Sequence, residues 1–240
     1  MAGTMRLDKY LADMGKGTRS QVREAVRKGR VQINGETVKK PEQKVRLPED
    51  RVVFDGHPVE YVSMEYYMLN KPAGTVSATE DGRYPTVVSL IGERVRKDLF
   101  PVGRLDLDTE GLLLITNDGA LAHRLLAPGK HVDKTYFARC SGMVPEGTEA
   151  EFEKGLILPD GFSCMPAELN VVKNGKDGSE VLLTIHEGKF HQVKRMMEAV
   201  GCPVEYLKRL SMGPLVLDED LLPGQYRKLT EEEQERLENL

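Results

Sequence analysis

The segment GRLDLDTEGLLLITNDG, residues 103–119, contains four carboxylates, and three of them stand at alternating positions directly before an apolar run: Asp106, Asp108 and Glu110. A carboxylate can act as a nucleophile or as a general base, but it can also bind backbone amides in a turn. The turn interpretation is favoured for Asp108 and Glu110. Asp106 differs because it lies between two leucines and two residues after Arg104. Asp106 could therefore point into a partly apolar site, where a carboxylate requires a cationic partner. For this reason Asp106 is the candidate for a catalytic residue.

A second interpretation treats Asp106 and Asp108 as the acid and base of a glycosidase-like hydrolase. Residues two positions apart can share one side of a strand. The separation that is needed across a sugar bond, however, normally requires carboxylates from different segments. The pair alone is therefore weak support for a hydrolase.

Length and composition favour two domains in the cytoplasm. A chain of 240 residues suits two domains, and it contains no apolar run of about 18 residues that would predict a membrane span. The first ten residues lack the apolar core of a signal peptide. The three cysteines and five histidines show no metal-ligand spacing, so we expect reduced thiols and no metal.

The charge is distributed unevenly along the chain. Residues 1–58 contain 13 lysines and arginines against 8 aspartates and glutamates, whereas the remainder contains 21 against 30. A small basic segment on an acidic body is typical of a module that binds a polyanion.

The basic segment has the pattern of two short helices and a small sheet. MRLDKYLADM (5–14) has apolar residues at helical intervals, and TRSQVREAVRKG (18–29) predicts a second helix that Thr18 or Ser20 can cap. Asn34-Gly35 is flanked by alternating residues and predicts a hairpin. Three arginines fall four residues apart and so share one face of the second helix: Arg19, Arg23 and Arg27.

In this order, RLDKYL, TRSQ, GRVQINGETV and PEDRVVF resemble the alpha-L RNA-binding domain of small-subunit ribosomal protein S-four, over about residues 5–58. The resemblance implies that the basic face of the second helix contacts RNA phosphates through Arg19, Arg23, Arg27 and Arg30. Such contacts give affinity and orientation but little sequence information. We therefore predict an RNA-binding domain at 1–58.

The remaining residues, 59–240, predict a second domain of class α+β. Strand patterns such as GLLLITNDG and VLLTIHEG outnumber helical ones such as ALAHRLLAP and HQVKRMMEAVG, without a regular βαβ alternation. We expect a mixed, largely antiparallel sheet flanked by helices. TVVSLIGERV (86–95) is also interpreted as a helix, and LTEEEQERLENL as a charged terminal helix.

Four motifs in this domain follow one another in a fixed order: LNKPAG (69–74), the acidic segment 103–119, KTY (134–136) and EGKFHQVKRM (187–196). Together with the basic domain they resemble the RsuA-type family of bacterial ribosomal RNA pseudouridine synthases, over nearly the whole chain. HQVKRM is similar to the version found in the subtype that acts on small-subunit (16S) RNA.

The resemblance implies a role for each matching residue. Asp106 is the essential catalytic residue of an isomerisation that detaches uracil from ribose, turns it and rejoins it through carbon five. Lys194 supplies the cation beside Asp106, at a position where many relatives have arginine. Tyr136 stacks on the target base, with a hydroxyl that could assist proton removal. Arg104 helps to hold the target nucleotide outside the RNA helix.

Two further residues match with roles that stay open. Lys71 either supports the site or touches phosphate, and Ile185 either forms the wall of the pocket or packs in the core. The isomerisation needs neither a metal nor a redox cofactor.

The leading hypothesis is a monomeric cytoplasmic pseudouridine synthase that acts on small-subunit ribosomal RNA or an assembling small-subunit particle. The alternatives are a synthase for large-subunit (23S) RNA, a non-catalytic ribosome-assembly factor, which would not need to retain Asp106, and the hydrolase considered above.

Overall fold

The computed structural model describes residues 3–240, whose contacts divide into two compact units. Unit 1 comprises the N-terminal residues up to Glu65 together with Gly92–Leu99, and unit 2 comprises Tyr66–Ile91 and Phe100–Leu240. The predicted boundary between residues 58 and 59 stays a prediction. In the described part of the chain no helix is long and apolar enough to cross a membrane.

Unit 1 consists of two helices and two small sheets. Its elements are β1 (Gly3–Arg6), α1 (Leu7–Asp13), α2 (Arg19–Arg27), β2 (Val31–Ile33), β3 (Glu36–Val38), β4 (Lys44–Leu47), β5 (Val52–Phe54) and β6 (His57–Val59). Both predicted helices and the hairpin are confirmed. Thr18 is the cap of α2, because its hydroxyl accepts a hydrogen bond from the Gln21 amide. Asn34 and Gly35 both have positive φ, as the tight hairpin turn between β2 and β3 requires.

The core of unit 1 forms between the helices and the sheet. Leu7 and Leu11 of α1, Val22 and Val26 of α2, and Val31 of β2 are fully buried in one cluster. The apolar faces predicted from helical spacing therefore pack together. The arginines of α2 consequently lie on the opposite, solvent-facing side.

Unit 2 is built on one large sheet with helices outside it. Its strands are β7 (Tyr66–Lys71), β8 (Phe100–Pro101), β9 (Glu110–Thr116), β10 (Lys134–Cys140), β11 (Glu168–Gly175), β12 (Gly178–Ile185), β13 (Val204–Met212), β14 (Leu215–Val216) and β15 (Tyr226–Lys228). Its helices are α3 (Gly119–Leu126), α4 (Thr148–Lys154), α5 (Gln192–Ala199) and α6 (Glu231–Glu238), with a short 3₁₀ turn at Pro128–Lys130.

The strand order of the sheet is β11-β12-β10-β13-β9-β7-β15, with β14 beside β13 and β8 beside β9. Among the described pairs only β9 and β13 run parallel. The predicted α+β class with a mixed, largely antiparallel sheet is thus confirmed. The central strand β9 is buried over Gly111–Thr116, as its continuous apolar run indicates.

The helix predicted for residues 86–95 is wrong. Thr86 instead begins a series of turns, in which the Ser89 amide and the Ser89 hydroxyl bind Thr86 and the Ile91 amide binds the Val88 carbonyl. Side-chain bonds of this kind compete with a helical ladder, and β-branched residues such as Val87 weaken it further. The segment also passes from unit 2 to unit 1 at Gly92.

The parallel pairing of β9 and β13 requires a glycine at residue 111. Gly111 has a φ of +102°, and a Cβ placed there would lie 2.2 Å from the Arg209 carbonyl oxygen and 2.7 Å from the Arg209 nitrogen. Both clashing atoms are backbone atoms of the neighbouring strand, so they cannot rotate away. The two strands can approach each other only where no side chain intervenes.

Gly111→Ala should therefore lower the free energy of unfolding by about 3 kcal/mol or more, through steric overlap and strain at positive φ. Gly119→Ala is the matched control, because an added Cβ at Gly119 meets open space at the start of α3. Urea denaturation of both variants measures the difference. Equal stabilities would refute the close-approach argument.

Candidate active site

The acidic loop and the segment before α5 meet at the carboxyl group of Asp106. The Asp106 side chain is 28% exposed, and two basic side chains flank it: His191 Nε2 lies 3.5 Å from Oδ1 and Lys194 Nζ lies 3.5 Å from Oδ2. The two flanking residues are more than 80 positions away in the sequence, so only the fold brings them to Asp106. The Lys194 ammonium thus places a positive charge close to the carboxylate.

Lys194 makes its closest contact with Asp108. Its Nζ donates to both Asp108 oxygens, at 2.6 and 2.9 Å. These hydrogen bonds lower the pKa of Asp108 below its ordinary value. The expected partnership between Lys194 and Asp106 is therefore present, but Lys194 is shared between two carboxylates. Asp108 does more than close a turn, which is the role that the sequence favoured for it.

The carboxyl group of Asp106 lines a small pocket of about 70 Å³. Tyr136 and Ile185, 7% and 2% exposed, form part of its wall. Tyr136 on β10 lies opposite Leu183 on β12, and Ile185 is two residues further along, so both side chains project from the same face of the sheet. The pocket therefore combines an aromatic ring, an apolar wall and one carboxylate. Such a combination suits a planar heterocycle, which the ring can stack on and the carboxylate can attack.

Arg104 also lines the pocket and is exposed. Within residues 3–240 it forms no hydrogen bond or ion pair, so its guanidinium is available to an anionic ligand. Four of the predicted residues, namely Arg104, Asp106, Tyr136 and Ile185, thus line one pocket, and the Lys194 ammonium lies 3.5 Å from the Asp106 carboxylate.

Lys71 does not line the pocket. It is fully buried, and its ammonium group donates to the carbonyls of Thr109 at 2.8 Å, Pro72 at 3.1 Å and Leu107 at 3.4 Å. Burial lowers its pKa to about 8 despite the nearby carboxylates. Of the two roles left open for Lys71, support of the site agrees with this arrangement, whereas contact with phosphate does not. Lys71 ties the loop that bears Asp106 to the end of β7.

The other carboxylates of the acidic segment are structural. Glu110 accepts a hydrogen bond from the Tyr206 hydroxyl at 2.8 Å. Asp118 caps α3 by accepting from the Leu121 amide at 2.9 Å, and it also accepts from the Tyr66 hydroxyl at 3.0 Å. A glycosidase would need a second carboxylate across the pocket from Asp106. Among the described residues that line the pocket, Asp106 is the one carboxylate, so the glycosidase interpretation gains no support.

Sequence reasoning did not single out His191, Gln192 or Thr109, although all three line the pocket. Gln192 is buried and organises the loop before α5: it accepts from the Lys189 amide at 3.0 Å and donates to Glu187 at 2.7 Å. Thr109 is 2% exposed, and its hydroxyl has no hydrogen-bond partner among the described residues. A signal for His191 and Gln192 was present, because both belong to the quoted EGKFHQVKRM motif.

The arginines predicted to bind RNA fall into two groups in unit 1. Arg23 binds the buried Asp8 at 2.9 Å, and Arg30 forms an ion pair with Asp55. Arg19 and Arg27 are exposed and form no ion pair within the described residues. Burial raises the pKa of Asp8, but the hydrogen bonds from Arg6 and Arg23 outweigh it and lower the pKa overall. The free charge on α2 is thus concentrated at Arg19 and Arg27.

Lys71→Met should lower the free energy of unfolding by about 1–3 kcal/mol at pH 7, because three carbonyls lose their donor. The difference from the wild type should grow above pH 8. The native pKa of Lys71 is about 8 against an ordinary 10.5, so between these values the unfolded chain binds more protons and the wild type gains stability as pH rises. The methionine variant lacks that gain. Denaturation of both proteins at pH 7.5 and 10 measures it, and a constant difference would contradict the burial argument.

Comparisons with known proteins agree on one family. Residues 65–199 match the family model for RNA pseudouridylate synthases, and residues 5–52 match the S4 domain. The uncharacterized RNA pseudouridine synthase YtzG of Bacillus subtilis (strain 168) is 48% identical over 230 residues, which cover 95% of this chain and 96% of the relative.

The ribosomal small subunit pseudouridine synthase A of Escherichia coli (strain K12) is 42% identical over 231 residues, covering 95% of this chain and 98% of that protein. A crystal structure of a pseudouridylate synthase superimposes with a TM-score of 0.68 at 39% identity, covering 97% of this chain and 99% of the other. The chain, with its N-terminal S4 domain and the Asp106 pocket, therefore belongs to the RNA pseudouridine synthase family of isomerases.

Proposed function

We propose that the protein converts one uridine of small-subunit (16S) ribosomal RNA to pseudouridine in the cytoplasm, acting as a monomer. One observation carries the chemistry: the Asp106 carboxylate lies between two basic side chains in a pocket whose wall includes a tyrosine ring. The small-subunit assignment is supported by the name of the E. coli relative and by the HQVKRM motif.

The substrate uridine enters the pocket after leaving the RNA stack, because the bond to be broken is inaccessible inside a helix. Unstacking costs a few kcal/mol, which contacts elsewhere on the RNA must offset. In this proposal Arg104, which lines the pocket, binds the phosphate of the extruded nucleotide, and the exposed Arg19 and Arg27 of α2 bind phosphates of the surrounding RNA.

Asp106 acts in its ionised form, as a nucleophile or as a general base. The N1–C1′ bond breaks, the uracil turns in the pocket, and a C5–C1′ bond forms; the C5 proton leaves and N1 gains a proton, so the reaction is balanced as an isomerisation. The Tyr136 ring stacks on the uracil while it turns, and its hydroxyl can assist removal of the C5 proton. Ile185 closes the apolar side of the pocket.

Asp106→Asn should abolish product formation while RNA binding persists, because an amide neither attacks carbon nor takes a proton at neutral pH. The measurement is carbodiimide-dependent reverse-transcription mapping of pseudouridine on small- and large-subunit RNA. Free RNA and partly assembled small-subunit particles are each treated with the wild type and the variant.

One new reverse-transcription stop in small-subunit RNA that appears with the wild type and is absent with Asp106→Asn would support the proposal. A stop confined to large-subunit RNA would retain the chemistry and overturn the choice of RNA. RNA binding without any stop would favour an assembly factor instead.

Asp108→Asn should lower the rate of pseudouridine formation at neutral pH about threefold or more. An amide cannot hold the Lys194 ammonium by charge, so Lys194 turns to Asp106. The closer ion pair makes the Asp106 carboxylate less reactive, so the rate falls.

Asp108→Glu should restore much of the wild-type rate. Glu110→Gln removes one charge from the same segment but affects a carboxylate that binds Tyr206, so it serves as the matched control. An equal loss of rate in both neutral variants would show a general charge effect rather than competition for Lys194.

A further inference from the structure

A second, much larger cavity opens on the Asp106 pocket. Its volume is about 710 Å³, against about 70 Å³ for the inner pocket. The two cavities share six lining residues: Arg104, Leu105, Asp106, Gly188, Lys189 and His191. The inner pocket has room for one small ring, whereas the outer cavity has room for considerably more of a ligand that reaches Asp106.

Phe190 lines the outer cavity and has an exposed fraction of 76%. Exposure of a single apolar side chain is ordinary in itself. The ring of Phe190, however, stacks on the His191 ring with centroids 3.8 Å apart and planes 19° apart. One face of the phenyl ring is therefore covered by an aromatic neighbour, and the rest is open toward the cavity.

The loop that bears Phe190 is held in place. His191 has a φ of +49°, in the left-handed region, and the next residue, Gln192, bonds back to the Lys189 amide at 3.0 Å. The His191 ring also lies 3.5 Å from Asp106. Phe190 therefore lies next to a residue that contacts the reacting carboxylate, so a ring stacked on Phe190 would lie beside the ligand in the inner pocket.

The charge around this cavity suits a phosphate backbone. Arg104 and Lys189 line it, and a second aromatic ring, Tyr84, carries the Arg83 guanidinium 5.1 Å from its centroid. Among the described residues, Asp81 is the one acidic residue besides Asp106 that lines the outer cavity. Its Oδ1 accepts hydrogen bonds from the backbone amides of Arg83 and Tyr84, both at 2.8 Å. Aromatic rings between cations are the combination that binds single-stranded RNA.

We propose that Phe190 is the stacking platform for a nucleobase adjacent to the target uridine, in a site formed by the outer cavity. The inference rests on the proposed function, because it takes the ligand of the inner pocket to be a uridine in RNA. The extruded uridine occupies the Asp106 pocket and its neighbour stacks on Phe190. Every base has a π-face, so this contact adds affinity and holds the strand without selecting a base.

The chain contains no tryptophan, so Phe190→Trp introduces a single fluorescent reporter at the proposed platform. Ile157→Trp is the matched control, since Ile157 is 73% exposed and lines neither cavity. The probes are a nine-nucleotide single-stranded RNA with one central uridine and the same strand with abasic sites on both sides of that uridine.

Stacking predicts that the intact strand quenches the indole fluorescence of the Phe190→Trp variant and that the abasic strand at saturation quenches it little. The fluorescence of the Ile157→Trp variant should show no such difference between the strands. Equal quenching of the Phe190→Trp variant by both strands would overturn the proposal. This readout needs binding but no turnover, so it is independent of whether the RNA is modified.

A second measurement uses variants without tryptophan. Phe190→Leu keeps an apolar side chain but loses the π-face, and it should weaken binding of the intact strand about tenfold or more while leaving the abasic strand unaffected. Ile157→Ala should change neither affinity. Equal affinity of Phe190→Leu and wild type for the intact strand would also overturn the proposal.

The two proposals fail in different ways. If the wild type forms no pseudouridine in ribosomal RNA while the Phe190→Trp variant still reports stacking, the proposed function fails, and only the stacking of an RNA base on residue 190 stands. If pseudouridine forms and the Phe190→Trp variant reports no stacking, the platform alone fails.

Discussion

The buried ammonium group of Lys71 is the constraint on which the site depends. Three carbonyls, those of Pro72, Leu107 and Thr109, converge on one nitrogen that has no contact with solvent. A fully buried cation is tolerated only where its hydrogen-bonding capacity is satisfied. The loop between Leu107 and Thr109 must therefore keep its path, and Asp106 is held at the entrance of that loop. The glycine that follows, Gly111, brings β9 against β13 and so fixes the other end of the segment.

The charge distribution at the pocket depends on one cation, the Lys194 ammonium, which two carboxylates share. Lys194 binds Asp108 by two short hydrogen bonds and lies 3.5 Å from Asp106. A lysine is a compact point charge with rotatable donors, so it can serve two carboxylates where a planar guanidinium fork would favour one. Asp106 consequently lies close to a positive charge while its oxygens stay accessible to a ligand. His191 adds a second basic neighbour on the other oxygen.

Burial also determines how much of the basic charge in unit 1 is free. Asp8 has a side chain that is 1% exposed, and it requires the two guanidinium groups of Arg6 and Arg23 that bind it. Arg23 therefore takes part in holding α1 to α2. A stripe of arginines on a helix does not by itself distinguish structural charges from available ones. That difference depends on which carboxylates the fold buries beneath the stripe.

Local patterns in the sequence were sufficient for most elements, and the family resemblance indicated part of the pocket but not His191, Gln192 or Thr109. Capping at Thr18, the Asn34-Gly35 turn and the apolar run of β9 depend on neighbours in the chain, and the quoted motifs indicated Asp106, Tyr136 and Lys194. The helix predicted at 86–95 failed because the hydroxyls of Thr86 and Ser89 form hydrogen bonds that compete with helical ones, and because the segment is divided between two units. The burial of Lys71, the pairing of Lys194 with Asp108 and the place of Phe190 beside Asp106 were decided only by tertiary structure. Each depends on distances between segments far apart in the chain, which local spacing does not encode.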